Sequence, residues 1–472
     1  MKVRQLIAHA RWCAPLLASV LLCACPAHLP YEPVDLDEKS PSAGFRDRAA
    51  DDITLAELVS ASGYKDEWPP ERWRLDTLTL LGLYFNPDVD VARAQALASN
   101  AALATAAQRA PLAVELAAEH HSREVDGTPW SLGVAIGIPI GRQSRREARL
   151  ERATFIADAA EIEIAASMWR VRGSVRDAVI DLTASSQRSR LLEQQVSIHR
   201  ELTRLLERRV EAGMLSAREL GRERTALATA QTQLALERSA YTGAYGDLAS
   251  ALGLPLQTVQ SLTIAEDAFQ QTTEVPDRDA ARGTALLNRL DVHVRLLEFG
   301  AADAEVKLAV AEQYPRVRIR PGFFWDQGDS IWSLASVLIP PVTAQAKVRE
   351  AEARREVAAR RFTALQIHAI SEVESAREVL LSTRSSVTAA KDIVDQAEQQ
   401  FERMRRYFES GSGNRVELMT AQLNAVQARQ HLLAAQIAWR KSAARYEDAV
   451  QVPVLGDFLK LPEQPAMAGA AL

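Results

Sequence analysis

Few side chains in this sequence are placed where they could do chemistry. His120 and His121 are adjacent, and three methionines fall near two predicted turns, at Met214, Met404 and Met419. Neighbouring side chains of a strand point to opposite faces, so a metal site at the histidines would need further ligands. Thioethers suit the passage of soft metals and equally suit helix packing, and the sequence leaves that choice open. Since no Walker-type phosphate loop and no isolated acid–base pair of carboxylates is present, we predict no catalytic residue, no metal site and no cofactor.

Cys25 is the residue with the most specific chemical surroundings. It follows a positively charged start, the apolar run 14–22 and the small residue Ala24. The segment 22–25 resembles a bacterial lipobox, in which the last cysteine is lipidated and becomes the mature N-terminus. The alternatives are an ordinary secretory signal cut near Ala24 and a short membrane anchor, although nine apolar residues are too few to span a bilayer. We predict a signal peptide over 1–24 and lipidation of Cys25, and Pro26 in place of an aspartate favours the outer membrane.

The composition is that of a folded, helical protein. Of 472 residues, 47% are hydrophobic and 25% are charged, with a formal net charge of −5. Ala, Leu, Glu, Arg and Gln dominate the text, and these residues favour helices. The lack of a basic excess argues against a nucleic-acid partner. Two of the three cysteines would leave with the signal peptide, so no intrachain disulfide can form.

Landmarks along the chain recur at an interval of 198–204 residues. The recurring pairs are Asn86 with Asn288, Pro111 with Pro315, Pro139 with Pro340, Gly213 with Gly411, and Glu219 with Glu417. Each half consists of a predicted helix, two strands, a very long helix, a turn and a returning helix. The sequence therefore predicts an internal twofold repeat.

Two long segments, 141–210 and 342–409, contain no proline and are predicted to be helical. Seventy residues of helix would extend about 105 Å, which no globular core accommodates, so these helices must pack side by side as coiled coils. Shorter helices are predicted at 76–109, 217–253, 281–313 and 416–450. Their lengths predict that 217–253 and 281–313 stack end to end along the first long helix, and 416–450 and 76–109 along the second. A short helix is predicted at 53–61 within an extended linker, and an irregular belt at 254–279.

Two pairs of strands are predicted between these helices. Residues 130–140 alternate large apolar with small side chains, and 112–119 alternate with Glu115 and Glu119 on one face. Arginines alternate with apolar residues from 316, whereas 331–340 is apolar without a clear outward face. Ten residues of period two are typical of membrane strands, and a soluble hairpin is the alternative. Four strands are too few to close a barrel, so two chains must supply eight strands or three chains twelve.

These features together resemble the TolC-type outer-membrane efflux factor family, over roughly residues 75–455. The most motif-like portions are 209–220 and 406–418, each with a glycine where two helices reverse. The resemblance implies a fold that is mainly α with transmembrane β. It consists of a long α-helical coiled-coil barrel and of four β-strands per chain that contribute to a trimeric 12-stranded β-barrel.

The resemblance also implies partners, location and site residues. The partners would be two further copies of the chain (a homotrimer), a periplasmic adaptor (membrane fusion) protein, an inner-membrane pump of the RND type and outer-membrane lipid. The chain would be lipid-anchored and barrel-inserted in the cell outer membrane and would extend into the periplasm. Residues expected at the periplasmic tip, for adaptor docking, are Gly213, Met214, Leu215, Ser216, Gly411, Ser412 and Gly413. Residues expected to form a gate are Arg403, Arg406, Phe408 and Glu417.

The predicted domains follow from the repeat. They are the signal peptide 1–24, a lipid-anchored linker 25–75, a first efflux repeat 76–280, a second repeat 281–455 and a C-terminal tail 456–472. We expect no enzyme but a passive exit duct of a tripartite efflux system. Two other functions stay open, an outer-membrane factor for type I protein secretion and a non-conducting lipoprotein that spans the periplasm. No motif indicates whether a drug, a metal ion, another small molecule or a protein is exported.

Overall fold

The computed structural model describes residues 44–61, 68–109, 112–120, 130–140, 143–265, 278–314, 316–326, 329–338 and 344–454. The chain divides into two compact units, Met1–Asp47 and Arg48–Leu472. In the first unit the described residues 44–47 form one helical turn, and every element named below belongs to the second unit. Cys25 and His121 lie outside the described residues.

Helices make up most of the second unit. In chain order they are α1 (Ile53–Ala61), α2 (Leu75–Phe85), α3 (Pro87–Ala107), α4 (Gln143–Glu211), α5 (Ala217–Leu252), α6 (Leu256–Gln260), α7 (Arg278–Asn288), α8 (Leu290–Glu312), α9 (Ala344–Glu409) and α10 (Arg415–Val450). The strands are β1 (Ala113–His120), β2 (Trp130–Ile140), β3 (Arg316–Asp326) and β4 (Asp329–Leu338). The order of elements from α3 to α5 recurs from α8 to α10. Among the described residues, no helix is both long and apolar enough to cross a membrane.

The two predicted long helices are confirmed. Helix α4 has 69 residues and α9 has 66, so each extends about 100 Å. Both are continuous because no proline interrupts them. The predicted strands and the short helix at 53–61 are confirmed as well.

The two opening helices are broken, whereas the sequence analysis predicted each as continuous. The first breaks at Asn86, whose side chain accepts a hydrogen bond from the Asp88 amide at 2.9 Å, with Pro87 as the first helical residue. This is a favourable N-terminus, because proline has no amide hydrogen to satisfy. The second break lies at Arg289, between α7 and α8. No proline is present there, so the sequence carries no comparable signal.

The end of a returning helix packs against each break, α5 against the first and α10 against the second. Asn86 Nδ2 donates to the Ala251 carbonyl at 2.9 Å, and Arg289 Nη1 donates to the Ala449 carbonyl at 3.4 Å. The helices end two residues later in left-handed conformations, at Gly253 (φ 69°) and Gln451 (φ 51°). A Cβ on Gly253 would overlap the Phe85 carbonyl oxygen, so glycine is required for this contact.

Packing of the helices agrees with one predicted stack and differs from the other. Helices α5 and α8 both pack along α4, and α10 packs along α9, as predicted. Helix α3 was predicted to pack on α9 but packs along α4 instead. Small residues explain the close approach, because Ala92 and Ala96 are buried and Ser167 Oγ donates to the Asp88 carbonyl at 3.1 Å.

The largest apolar cluster surrounds α2 and the ends of α5 and α10. Leu55, Val59 and Trp73 belong to this cluster, so the described part of the predicted linker is packed rather than extended. Trp73 also forms an isolated parallel bridge with Ile264, which ties the linker to the segment after α6. Three smaller clusters follow the helices away from this centre.

The four strands form one antiparallel sheet in the order β1–β2–β3–β4. Strands β2 and β3, which are far apart in sequence, are hydrogen-bonded neighbours. The register shifts between Ile319 and Gly322, where β3 contains a bulge or irregularity. The strand pairs of both halves therefore join in a single sheet.

Candidate functional site

The sheet exposes large apolar side chains on one face. Leu116, Val134, Phe323 and Trp332 lie opposite one another across the four strands, and residues directly opposite share a face. The exposed members of this apolar face include Val114, Leu116, Trp130, Leu132, Val134, Ile136, Ile138, Ile319, Phe323, Trp332 and Leu334. Trp332 and Leu334 are 77% and 75% exposed, which identifies the outward face of β4. An exposed apolar patch of this extent requires an apolar environment outside the chain.

The opposite face of the sheet carries small and charged side chains, and we call it the charged face. Its members include Glu115, Ala117, Glu119, Gly133, Ala135, Gly137, Arg318, Arg320 and Phe324. A Cβ on Gly133 would overlap the Phe324 ring, and one on Gly137 would lie 3.0 Å from Arg318 Cδ. The glycines of β2 therefore leave room for side chains of β3 to lie across that strand.

Glu115 on β1 contacts two arginines of β3. Its Oε1 lies 3.7 Å from Arg318 Nη1, and its Oε2 forms an ion pair with the Arg320 guanidinium. One carboxylate thus faces two guanidinium groups. The sequence predicted the strands that carry these residues but not their contact, because the contact depends on the register of strands from both halves.

At the far ends of α4 and α9 the chain reverses in two turns, which we call the first tip (residues 212–216) and the second tip (residues 410–414). Gly213 and Gly411 have positive φ angles of 71° and 80°. The helix-ending bonds are Gly213 N to Val210 O at 2.9 Å, Met214 N to Arg209 O at 2.8 Å, Gly411 N to Phe408 O at 3.0 Å and Ser412 N to Tyr407 O at 3.3 Å. This pattern is the Schellman motif, which favours glycine at the left-handed position. Both tips use it.

The end of α4 is joined to the second tip. Arg209 Nη2 donates to Asn414 Oδ1 at 2.7 Å, and the same oxygen accepts the Val416 amide at 3.0 Å. Asn414 is therefore both the N-cap of α10 and the partner of α4. A small apolar cluster behind this contact contains Ile198, Leu202, Met419 and Val426. The sequence analysis did not identify Arg209 or Asn414 as a pair.

The residues predicted for adaptor docking are mostly exposed. Gly213, Met214, Ser216, Gly411 and Ser412 are exposed, whereas Leu215 and Gly413 are half-buried. A Cβ on Gly413 would lie 2.8 Å from the Phe408 backbone, so this glycine permits a close approach. The tips thus present backbone, small side chains and the side chain of Met214.

The residues predicted for the gate lie on two helices. Arg403 and Arg406 on α9 line a surface groove of about 510 Å³ together with Glu398 and Glu402. Arg403 Nη2 also donates to Gln400 Oε1 at 2.7 Å. Phe408 is half-buried at the end of α9. Glu417 is exposed in the first turn of α10 and is not among the residues that line this groove.

The remaining candidates are not brought together. The His120 ring packs edge-on against Trp130 with ring centroids 4.7 Å apart. Met419 is buried between α4 and α10, Met404 is half-buried and Met214 is exposed. Among the described residues no group of three or more His, Cys, Asp or Glu side chains is arranged to hold a metal ion.

A buried ionic cluster joins α4 to α10. Arg172 and Arg176 are fully buried, and both contact Oε1 of the fully buried Glu447, Arg176 at 2.8 Å. Arg176 also donates to Asp448 Oδ2 at 2.7 Å. The other oxygen of Glu447 accepts the Val454 amide at 2.7 Å.

Burial and neighbouring charges shift the pKa values of the two arginines in this cluster. Burial and the neighbouring positive charge of Arg176 lower the pKa of Arg172 to about 10. Because this value is still well above 7, the guanidinium stays charged at neutral pH. Burial also opposes the charge of Arg176, but hydrogen bonds to Asp448 raise the pKa of Arg176 overall. Sequence reasoning missed the cluster. One feature of the sequence could have indicated it: Arg172 and Arg176 are four residues apart and lie beside Val171, Val175 and Val179, on the buried side of α4.

The junction between sheet and helices is held by two arginines of the first turn of α4. Arg145 donates to the carbonyls of Ala311 at 2.9 Å and Tyr314 at 2.5 Å, at the end of α8. Arg146 donates twice to the Ala107 carbonyl, at 3.0 and 2.8 Å, at the end of α3. Cations at helix C-termini satisfy free carbonyls and oppose the helix dipole.

Comparison with known proteins gives a family match over part of the chain and a shared fold. Residues 83–254 match the family model "Outer membrane efflux protein", which covers α3 to α5 with both strands between them. No curated protein sequence gives a significant match to the chain.

Several solved structures share the fold at low sequence identity. The outer membrane protein VceC from Vibrio cholerae is 18% identical with a TM-score of 0.66, covering 81% of this chain and 99% of its own. The Campylobacter jejuni CmeC outer membrane channel is 13% identical with a TM-score of 0.66, covering 90% of this chain and 93% of its own. The Neisseria gonorrhoeae MtrE outer membrane channel, in its open state, is 16% identical with a TM-score of 0.64, covering 80% of this chain and 88% of its own. Residues 83–254 are therefore similar to the outer membrane efflux protein family, and the chain as a whole has the fold of these solved outer-membrane structures.

Proposed function

We propose that the chain forms the outer-membrane exit duct of an efflux system. The observation that carries this proposal is the sheet with one exposed apolar face and one charged face. Strands of membrane barrels alternate apolar side chains toward lipid with polar side chains toward the lumen. The family match over residues 83–254 and the fold shared with the CmeC and MtrE channels support the proposal.

The duct is a homotrimer. Among the described residues β1 pairs only with β2, and β4 only with β3, so the sheet of one chain has two open edges. Unpaired backbone groups are costly in lipid, and closure by neighbouring copies removes them. Three copies give twelve strands and an open lumen, whereas two would give eight strands and a lumen filled by side chains. Exposed apolar residues on the helices, such as Val91 and Leu97 on α3 and Ile367 on α9, support contacts between subunits.

The helices extend the duct into the periplasm, toward a periplasmic adaptor and an inner-membrane pump of the RND type. The exposed tips support docking at Gly213, Met214, Leu215 and Ser216, and at Gly411, Ser412 and Gly413. Arg403, Arg406, Phe408 and Glu417 close the resting duct through contacts between subunits. Replacing Arg406 and Glu417 together by alanine is expected to raise resting conductance, and unchanged conductance at normal protein levels would leave the tips as a docking surface only.

The anchor and the domain boundaries belong to the same proposal. A lipidated Cys25 follows the signal peptide 1–24, and the repeats extend over 76–280 and 281–455, with the linker 25–75 before them and the tail 456–472 after them. The protein resides in the outer membrane and extends into the periplasm. Metabolic palmitate labelling is expected for wild type and is expected to be lost in Cys25→Ala. Absence of label in wild type would exclude lipidation.

Single-channel recording in planar bilayers tests the duct. The purified trimer is expected to conduct ions after insertion from one side. A correctly inserted trimer that never conducts, including the Arg406→Ala/Glu417→Ala variant, would instead favour a structural lipoprotein that spans the periplasm.

A further inference from the structure

The charged residues of the sheet form two separate layers. Among the described side chains of the charged face, the charged residues are Glu115, Glu119, Arg318 and Arg320. Arg318 and Arg320 both contact Glu115, which lies nearer the helices than Glu119 does. Four strand residues separate the two glutamates by about 13 Å, which exceeds the Debye length of about 8 Å at physiological ionic strength.

An aromatic ring lies between these layers. Phe324 crosses β2 over Gly133, and Gly133 is paired with Ala117, midway between the two glutamates. The ring therefore separates Glu119 from the arginines. The layer nearer the helices has two guanidinium groups and one carboxylate, so its local charge is positive.

We propose that Arg318 and Arg320 form an anion-selective layer in the lumen of the duct. This inference rests on the proposed barrel, in which the charged face lines the lumen and three copies of the layer form a ring. Rings of arginine select anions in pores, and residues that face the lumen of a membrane barrel tune its selectivity. The favoured solutes are small anions and the anionic ends of organic molecules.

An ion pair that served only to stabilise the sheet would need one arginine for Glu115, whereas the layer has two. One arginine is enough to neutralise Glu115, and the second leaves an excess of positive charge. Gly137 gives Arg318 the room to lie across β2, so its guanidinium lies along the sheet surface. Among the described residues, Arg320 Nε has no hydrogen-bond acceptor, so Glu115 satisfies this guanidinium only in part.

The test is the reversal potential of the full-length trimer in a potassium chloride gradient across a planar bilayer. Arg318→Gln combined with Arg320→Gln is expected to lower the chloride-to-potassium permeability ratio by about two- to threefold. Glu115→Gln is expected to raise this ratio, because it leaves both arginines without their carboxylate. Opposite shifts from the two variants support the layer. An unchanged ratio in both overturns it.

The matched control is Arg354→Gln combined with Arg355→Gln. It removes the same formal charge from α9, where both arginines form ion pairs with α8. The control is expected to leave the ratio unchanged, and an equal shift in the control would overturn the assignment to the sheet. A wild-type protein without conductance would contradict the proposed duct itself, which distinguishes that failure from failure of the selective layer.

Discussion

Arg209, near the end of α4, donates a hydrogen bond to the side-chain oxygen of Asn414, which begins α10. The two residues are 205 positions apart, and their bond of 2.7 Å connects the end of α4, just before the first tip, to the second tip within one chain. Asn414 Oδ1 also accepts the Val416 amide, so one atom both caps a helix and holds its neighbour. The end of α4 is therefore coupled to the start of α10.

Loss of the Asn414 side chain is expected to loosen the start of α10. Removing an N-cap costs about 1 kcal/mol, and Asn414→Ala also removes the partner of Arg209. Hydrogen exchange of a peptide that contains Val416 should become several-fold faster. Asn414→Asp is the matched control, because aspartate keeps the cap and strengthens the contact with Arg209. Equal exchange in Asn414→Ala and wild type would show that the cap does not stabilise this helix start.

The tip glycines are required for their backbone conformation and not for space. A Cβ on Gly213 or Gly411 would meet no atom within 4 Å, but both have φ angles in the left-handed region. Gly213→Ala and Gly411→Ala are each expected to lower the free energy of unfolding by about 1 kcal/mol. The control Gly221→Ala also has open space, but it lies within α5 and is expected to stabilise that helix. Thermal unfolding that ranks the three variants otherwise would contradict this assignment.

Local sequence signals predicted the long helices and the strands. Long stretches without proline and with helix-forming residues specify α4 and α9, and alternation of period two specifies β2. These signals are contained in the segment itself, so they can be recognised without knowledge of the tertiary contacts. The break at Arg289 could not be predicted in this way. It is stabilised by Glu372 on α9 and by Gln451 at the end of α10, contacts that only the folded chain creates.

The same distinction applies to the candidate sites. The glycines of the tips were predictable, because a left-handed turn favours glycine in any fold. The contact of Glu115 with Arg318 and Arg320 was not, because it requires β1 and β3 to flank β2 in one register. The cluster of Arg172, Arg176 and Glu447 was hidden for a similar reason. Arginine and glutamate in a helical sequence normally indicate an exposed face, and only the packing of α4 on α10 buries them.

Glu447 is expected to be essential for the stability of the helical region. Glu447→Ala would leave Arg172 and Arg176 buried without their shared carboxylate, which typically costs about 3–5 kcal/mol. Thermal unfolding of the purified trimer should show a large decrease in the midpoint. Asp448→Asn is the control, because the Asp448 side chain is about 43% exposed and water can replace its charge, so its effect should be small. Equal midpoints for wild type and Glu447→Ala would show that the cluster is not stabilising.

Neighbouring residues of β1 provide a direct test of which face of the sheet meets water. Leu116 lies on the apolar face and Ala117 on the charged face, so single cysteines at these positions differ by one residue and by orientation. In proteoliposomes, a charged thiol reagent that cannot cross lipid is expected to label Ala117→Cys and to leave Leu116→Cys unlabelled, since only the lumen contains water. After unfolding in detergent both should react, which controls for thiol integrity. Preferential labelling of Leu116→Cys in the folded protein would mean that the apolar face meets water, and the sheet would then be a soluble structure and not the wall of a membrane duct.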